Sequence, residues 1–401
     1  MKISVNRKID VNNICGIVII ILVIGMSPAA FVSNNYSKIM AIILASAQIM
    51  VLPLLILTIM NYKLHRELLM LCVLPVVFFF MKNMNSLYDK IVYSYALLLL
   101  VMYLLVNDTL KSKWMEMFYY VFIVLGIISV ALIILYILKI DFIFQKVPYY
   151  SGDIRASYVK CGPFAIYIYD DGAPRLCGVF NEPGLLGTIA GFLYVMSYKK
   201  NSLKEKIILL VIGLFSVSTA FFVLVLLFHG MLFWIQDRKN MFKTICFVLV
   251  VSIFVICIYK SEHNVLDIEY YLRRILKLKE ALAQRNANPM FKCAFDEFIH
   301  SSHLFFGMGY GSTNGFGYVG AMGFVYQFGI IPTTLYIFMF FAFGYMACKG
   351  EKYAYLYMII FLISFIQRVA IDNIYAYFMY FGGLAWMTDN EQLLKKRRSN
   401  Y

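Results

Sequence analysis

The sequence predicts an all-α polytopic membrane protein, one integral membrane domain over residues 1–401, on three observations. Hydrophobic residues make up 62% of the chain and charged ones only 14%, with a mean hydropathy of +0.76, more than a soluble core can hide. Apolar segments of roughly 17 to 25 residues recur from end to end, the length that crosses about 30 Å of hydrocarbon with every backbone group bonded inside a helix. The alternation of a membrane β-barrel is absent.

About twelve transmembrane helices follow. The first, 14–32, is longer than a signal-peptide core and lacks a convincing cleavage site, so it reads as a retained span. Continuous apolar runs then give 39–60, 68–81, 88–106 and 117–138, and 184–198 opens at a Pro-Gly pair suited to a helix start. The run from Ile207 to Ile235 is too long for one ordinary span and too short for two full ones. Ser216, Ser218 and Thr219 divide it into 207–219 and 220–235; a single tilted helix would change the count and the parity. The remaining spans are 243–259, 320–348, 353–368 and 371–388.

Charge supports an even count. With the amino terminus inside, short inner loops collect twenty of the 36 basic residues, among them Lys63, Arg66, Lys111, Lys113, Lys199, Lys200 and Lys349, as the positive-inside rule requires. Both termini are therefore expected in the cytoplasm. Twelve further basic residues sit in two outer loops, 139–183 and 260–319. Long loops translocate whatever their charge, so this excess is either incidental or the lining of an electropositive chamber for a diphosphate or sugar acid.

Three segments carry chemistry. The first is RLCGVFNEPGLLG, Arg175–Gly187, which sets a cation, a carboxylate and a helix start at the point of membrane re-entry. In the second, 265–285, Ile268, Tyr271, Leu272, Ile275, Leu278 and Leu282 share one helical face opposite Glu269, Arg273, Lys277 and Glu280. That pattern is a surface helix, either a plain anchor or one aiming Arg273 and Lys277 at an enclosed ligand. The third is HSSHLFFGMGYGS, His300–Ser312, leading into a region where seven of the 24 glycines fall within seventeen residues. Such a segment either is flexible or turns tightly, with backbone N–H groups toward a ligand.

Together these segments resemble the O-antigen polymerase and O-antigen ligase superfamily, most closely the Wzy-type polymerases. Glu182 before Pro183 is similar to the polymerase form of the first motif. The resemblance implies a GT-C-like architecture and an inverting, metal-independent glycosyltransferase on the outer face of a bacterial cytoplasmic membrane. It would polymerise undecaprenyl-diphosphate-linked oligosaccharides into O-antigen or capsular polysaccharide, beside membrane lipid and with a chain-length regulator as possible partner. No cofactor and no nucleic acid is expected.

Without a metal ion, fixed cations must neutralise the departing diphosphate; Arg175, Arg273, Arg274 and Lys277 are the candidates. His303 needs little tuning to serve as general base, whereas Glu182 would need burial to do so. Glu182 otherwise orients Arg175, binds a sugar hydroxyl or complements a helix dipole. Arg155, His300 and Tyr310 are candidate substrate contacts. No HExxH, CxxC or P-loop occurs, and the adjacent Asp170 and Asp171 suit solvent or sugar hydroxyls better than a metal. Cys161 and Cys177 share a loop and would be able to pair in an oxidising compartment.

Two rivals stand. A ligase would differ only in its acceptor. A flippase for the same lipid-linked sugars fits twelve spans but calls for ionisable groups in mid-membrane, each costing about 2.5 to 3.5 kcal/mol, and His229 is nearly alone there.

Overall fold

The structure, a computed structural model, describes residue 95 and residues 11–25, 34–60, 98–151, 154–169, 174–180, 182–198, 202–235, 289–309, 311–313, 315–316, 320–367 and 374–389. Helices dominate. Among the described residues three are long and apolar enough to cross a membrane: α2 (Asn34–Met60), α3 (Asp108–Ile137) and, later in the chain, Ile330–Ala347. Shorter apolar helices accompany them, beginning with α1 (Val11–Gly25). The expected spans 68–81 and 243–259 and the amphipathic segment 265–285 lie outside the described residues.

Helix α3 begins well before the expected 117 because its cap is built from polar residues. Asn107 Oδ1 accepts the Thr109 N–H at 3.1 Å, and Asp108 stands in the positively polarised first turn. Lys111, expected in an inner loop, is instead buried in α3. Its ammonium donates to Leu104 O at 3.0 Å and Asp108 Oδ1 at 3.3 Å, while Lys349 reaches Asp108 Oδ2 at 2.8 Å.

The loop 139–183, expected on the outer side, corrects the all-α expectation. It folds into a four-stranded antiparallel meander, β1 (Gln145–Ser151), β2 (Ile154–Cys161), β3 (Phe164–Tyr169) and β4 (Arg175–Gly178). Tyrosine, isoleucine and valine dominate β2 and β3 and favour the pleated backbone. Gly162 (φ 57°) and Pro163 join them. A two-residue turn with positive φ first and a proline second must be type II′, since the ring excludes positive φ.

One face of this sheet, carrying Val159, Ile166 and Leu176, joins the helical core; Ser129 and Leu132 of α3 share a small apolar cavity with it. Beyond the sheet comes α4 (Pro183–Ser197), in which every residue except Gly184 is buried, so it is the central helix of its neighbourhood. It packs on α5 (Leu203–Ser216) and α6 (Thr219–Ile235), which divide at the polar junction read from the sequence. Val217 there is left-handed, φ 45°. Gly187 of α4 lies directly under Ser216 and Ser218, with no room for a Cβ. Gly187→Leu is therefore expected to force α4 away from the junction and lower the melting temperature by several degrees, measurable by differential scanning fluorimetry in detergent.

The remaining helices are α7 (Pro289–Ile299), α8 (Gly320–Phe328), α9 (Ile330–Ala347), α10 (Lys352–Gln367) and α11, which runs Ile374–Tyr377, a π-turn Phe378–Gly382 and Gly383–Thr388. The expected single span 320–348 is thus two helices, broken at Gly329, whose φ of 81° no helix interior accepts. All of α11 is buried. Its π-turn is held from outside: Tyr357 donates to Met379 O at 2.6 Å, and Tyr380 to Phe340 O at 3.0 Å.

Candidate functional site

Arg175 opens β4 directly opposite Tyr167 of β3, and strand alternation turns it to the face away from Leu176 and the helical core. It is only 6% exposed. Its Nη2 donates to Val217 O at 3.0 Å, at the carbonyl end of α5, where a cation also complements the helix dipole. The guanidinium thereby ties the β4 edge of the sheet to the α5–α6 junction.

Glu182 follows seven residues later as the N-cap of α4. Its backbone carbonyl receives the Leu185 and Leu186 N–H groups, while the side chain is exposed and makes no capping bond. Burial pushes the Cys177 thiol up from its ordinary range; Arg175 opposes that shift and Glu182 adds to it, so both charges act on one point. Arg175 and Glu182 thus both lie within electrostatic reach of Cys177.

Comparison of the chain with family models, curated proteins and solved structures gave no match. The site therefore rests on its own geometry.

His300 precedes a short 3-10 turn, Ser302–Leu304, that contains His303, and both are exposed. Their segment belongs to an aromatic cluster of Phe291, Phe298 and Tyr326, against which Leu304 packs. The glycines after it do turn tightly: Gly307, Gly309, Gly311 and Gly315 all have positive φ. Their N–H groups, however, serve the protein. Met308 N donates to Tyr326 O at 2.8 Å, Gly309 N to Gln327 O at 3.0 Å and Gly311 N to Gln327 Oε1 at 3.2 Å, so the loop caps the carbonyl end of α8.

Arg155 lies in β2, paired in register with Tyr150. Tyr310, Arg273, Arg274 and Lys277 fall outside the described residues. No group of three or more metal-ligating side chains occurs among the described residues. Cys161 and Cys177 are free thiols: Cys161 lines the cavity on the helix-facing side of the sheet, and Cys177 packs with Tyr158 and Ala165 on the other. Opposite faces cannot be bridged without disrupting the sheet.

Sequence reasoning passed over two features. Lys160 is buried on β2, and His229, read as nearly alone, has Tyr194 as a hydrogen-bond partner at 2.9 Å between α4 and α6. The alternation Tyr158–Val159–Lys160–Cys161 was the available signal for the first.

Proposed function

We propose that this chain is a membrane glycosyltransferase of GT-C-like architecture that joins oligosaccharide repeat units carried on undecaprenyl diphosphate. The observation that supports this best is the buried guanidinium of Arg175, tethered to Val217 O just before Glu182 caps the enclosed helix α4. A preorganised cation stabilises charge that develops on a departing diphosphate without reorganising during the reaction.

In this reading the acceptor hydroxyl oxygen bonds to the donor's anomeric carbon from the face opposite the leaving group. The carbon–oxygen bond to diphosphate breaks with its electron pair, and the hydroxyl proton passes to His303. Arg175, with Arg273, Arg274 and Lys277, holds the diphosphate, and Glu182 aims Arg175 or binds a sugar hydroxyl. Arg155, His300 and Tyr310 contact the glycan. The reaction belongs on the outer face of a bacterial cytoplasmic membrane, with both termini inside.

Purified protein in nanodiscs, given a synthetic undecaprenyl-diphosphate repeat unit, is expected to yield a ladder of products and free undecaprenyl diphosphate, unchanged by EDTA. Loss of the ladder on chelation overturns the cation-based mechanism. Transfer only to a lipid A core acceptor makes the chain a ligase. One observation favours transport instead: the Tyr194–His229 pair buried between α4 and α6 is an ionisable group inside the helical core. Movement of the lipid-linked sugar across vesicles without chain growth would establish that reading.

A further inference from the structure

The face of the sheet turned away from the helical core has a consistent composition. Tyr158 and Lys160 of β2, Ala165 and Tyr167 of β3, and Arg175 and Cys177 of β4 occupy it by alternation and register, with Val147 of β1 packed beside Tyr158. Lys160 is 4% exposed, and among the described residues its ammonium has no hydrogen-bond partner. A buried ammonium ordinarily finds an acceptor, because removing it from water without one is costly. Lys160 pairs in register with Ala165, and Arg175 with Tyr167, so the two cations stand on one face two strands apart, at about 4.8 Å per strand, and two residues apart along the strand, roughly 12 Å between backbones. Long side chains at that separation converge on an anion several ångströms across, and flanking tyrosine hydroxyls are further donors.

We infer that Lys160 is an anion-binding residue, and that with Arg175 it seats a phosphoryl group on this face of the sheet. This deepens the reading above, on which the lipid-linked identity of the ligand rests; the seat itself stands on the sheet's geometry. Burial lowers the Lys160 ammonium to about 8, so the group is still mostly charged at neutral pH. The ionisable and charged neighbours on the same face are Tyr158, Tyr167, Cys177 and Arg175.

The test is binding, measured by isothermal titration in nanodiscs, with inorganic pyrophosphate and with undecaprenyl diphosphate as separate probes. Lys160→Met is expected to weaken both at least tenfold and Lys160→Arg less than threefold. Weakening of pyrophosphate binding alone assigns the seat to a soluble anion, and weakening of the lipid as well assigns it to the lipid headgroup. Without ligand, Lys160→Met is expected to melt at or above the parent temperature, because the substitution removes a buried charge. A variant that melts lower while binding both probes normally overturns the inference.

The unmodified chain supplies an independent reading. Its affinity for pyrophosphate should fall as pH rises from 7.5 to 9, although pyrophosphate only gains negative charge over that interval. Flat or rising affinity overturns the inference even if Lys160→Met fails to fold. Because binding needs no turnover, a chain without a product ladder that still binds through Lys160 refutes the transferase and keeps the seat. The reverse result refutes the seat alone.

Discussion

Arg175→Ala is expected to reduce product formation at least 100-fold, the range seen when one preorganised donor to a developing anion is removed. It should also destabilise the protein, because Val217 O loses its donor in a buried setting. Leaving such a carbonyl unpaired costs about 1–3 kcal/mol. Arg175→Lys separates the two effects. A lysine able to reach Val217 O restores melting temperature, but a point charge cannot hold the carbonyl and span two phosphate oxygens, so turnover stays at least tenfold down. Full activity in Arg175→Lys would remove planar, forked recognition from the mechanism. Unchanged activity in Arg175→Ala, with lowered stability, would make Arg175 a helix clamp and nothing more.

That dual role was half legible in the sequence. Motif order put Arg175 and Glu182 at the start of a helix, and the structure has Pro183 opening α4 there. The break between α5 and α6 was readable because Ser216, Ser218 and Thr219 interrupt an otherwise apolar run. The contact joining those two features, a side chain reaching forty-two residues along the chain to a backbone carbonyl, has no local signature.

The sheet was missed for a different reason. Its strands are four to eight residues long, and β2 is buried on both faces at Tyr158, Val159 and Lys160, so hydrophobic alternation is blurred by Lys160 among apolar neighbours. The Gly162–Pro163 turn was the usable clue. Gly329 was missed because Gln327 alone interrupts the apolar run around it, and hydropathy does not register φ.

Gly329→Ala carries the largest expected effect on folding. At φ 81° and ψ 172° only glycine is at ease, and an added Cβ costs about 1–3 kcal/mol by itself. Here it would also drive into Phe305 O, Phe306 N and Gly307 N, all backbone atoms with nowhere to rotate. The collision pries apart a two-way clasp. Met308 N and Gly309 N cap the end of α8, while Ile331 N at the start of α9 donates to Phe305 O at 3.2 Å. Losing such a clasp together with the strain should exceed about 3 kcal/mol, at the upper end for single substitutions. Gly315→Ala is the matched control: its φ is 98°, but nothing among the described residues lies within 4 Å of the new carbon. Scanning fluorimetry of the pair in detergent should show a large fall in melting temperature for Gly329→Ala and a small one for Gly315→Ala. Equal shifts would mean that backbone strain alone, not the packing of loop against helix break, sets the cost. The comparison bears on function because Gly307 N also donates to His303 O at 2.6 Å, so the same clasp positions the histidine proposed to take the acceptor's proton.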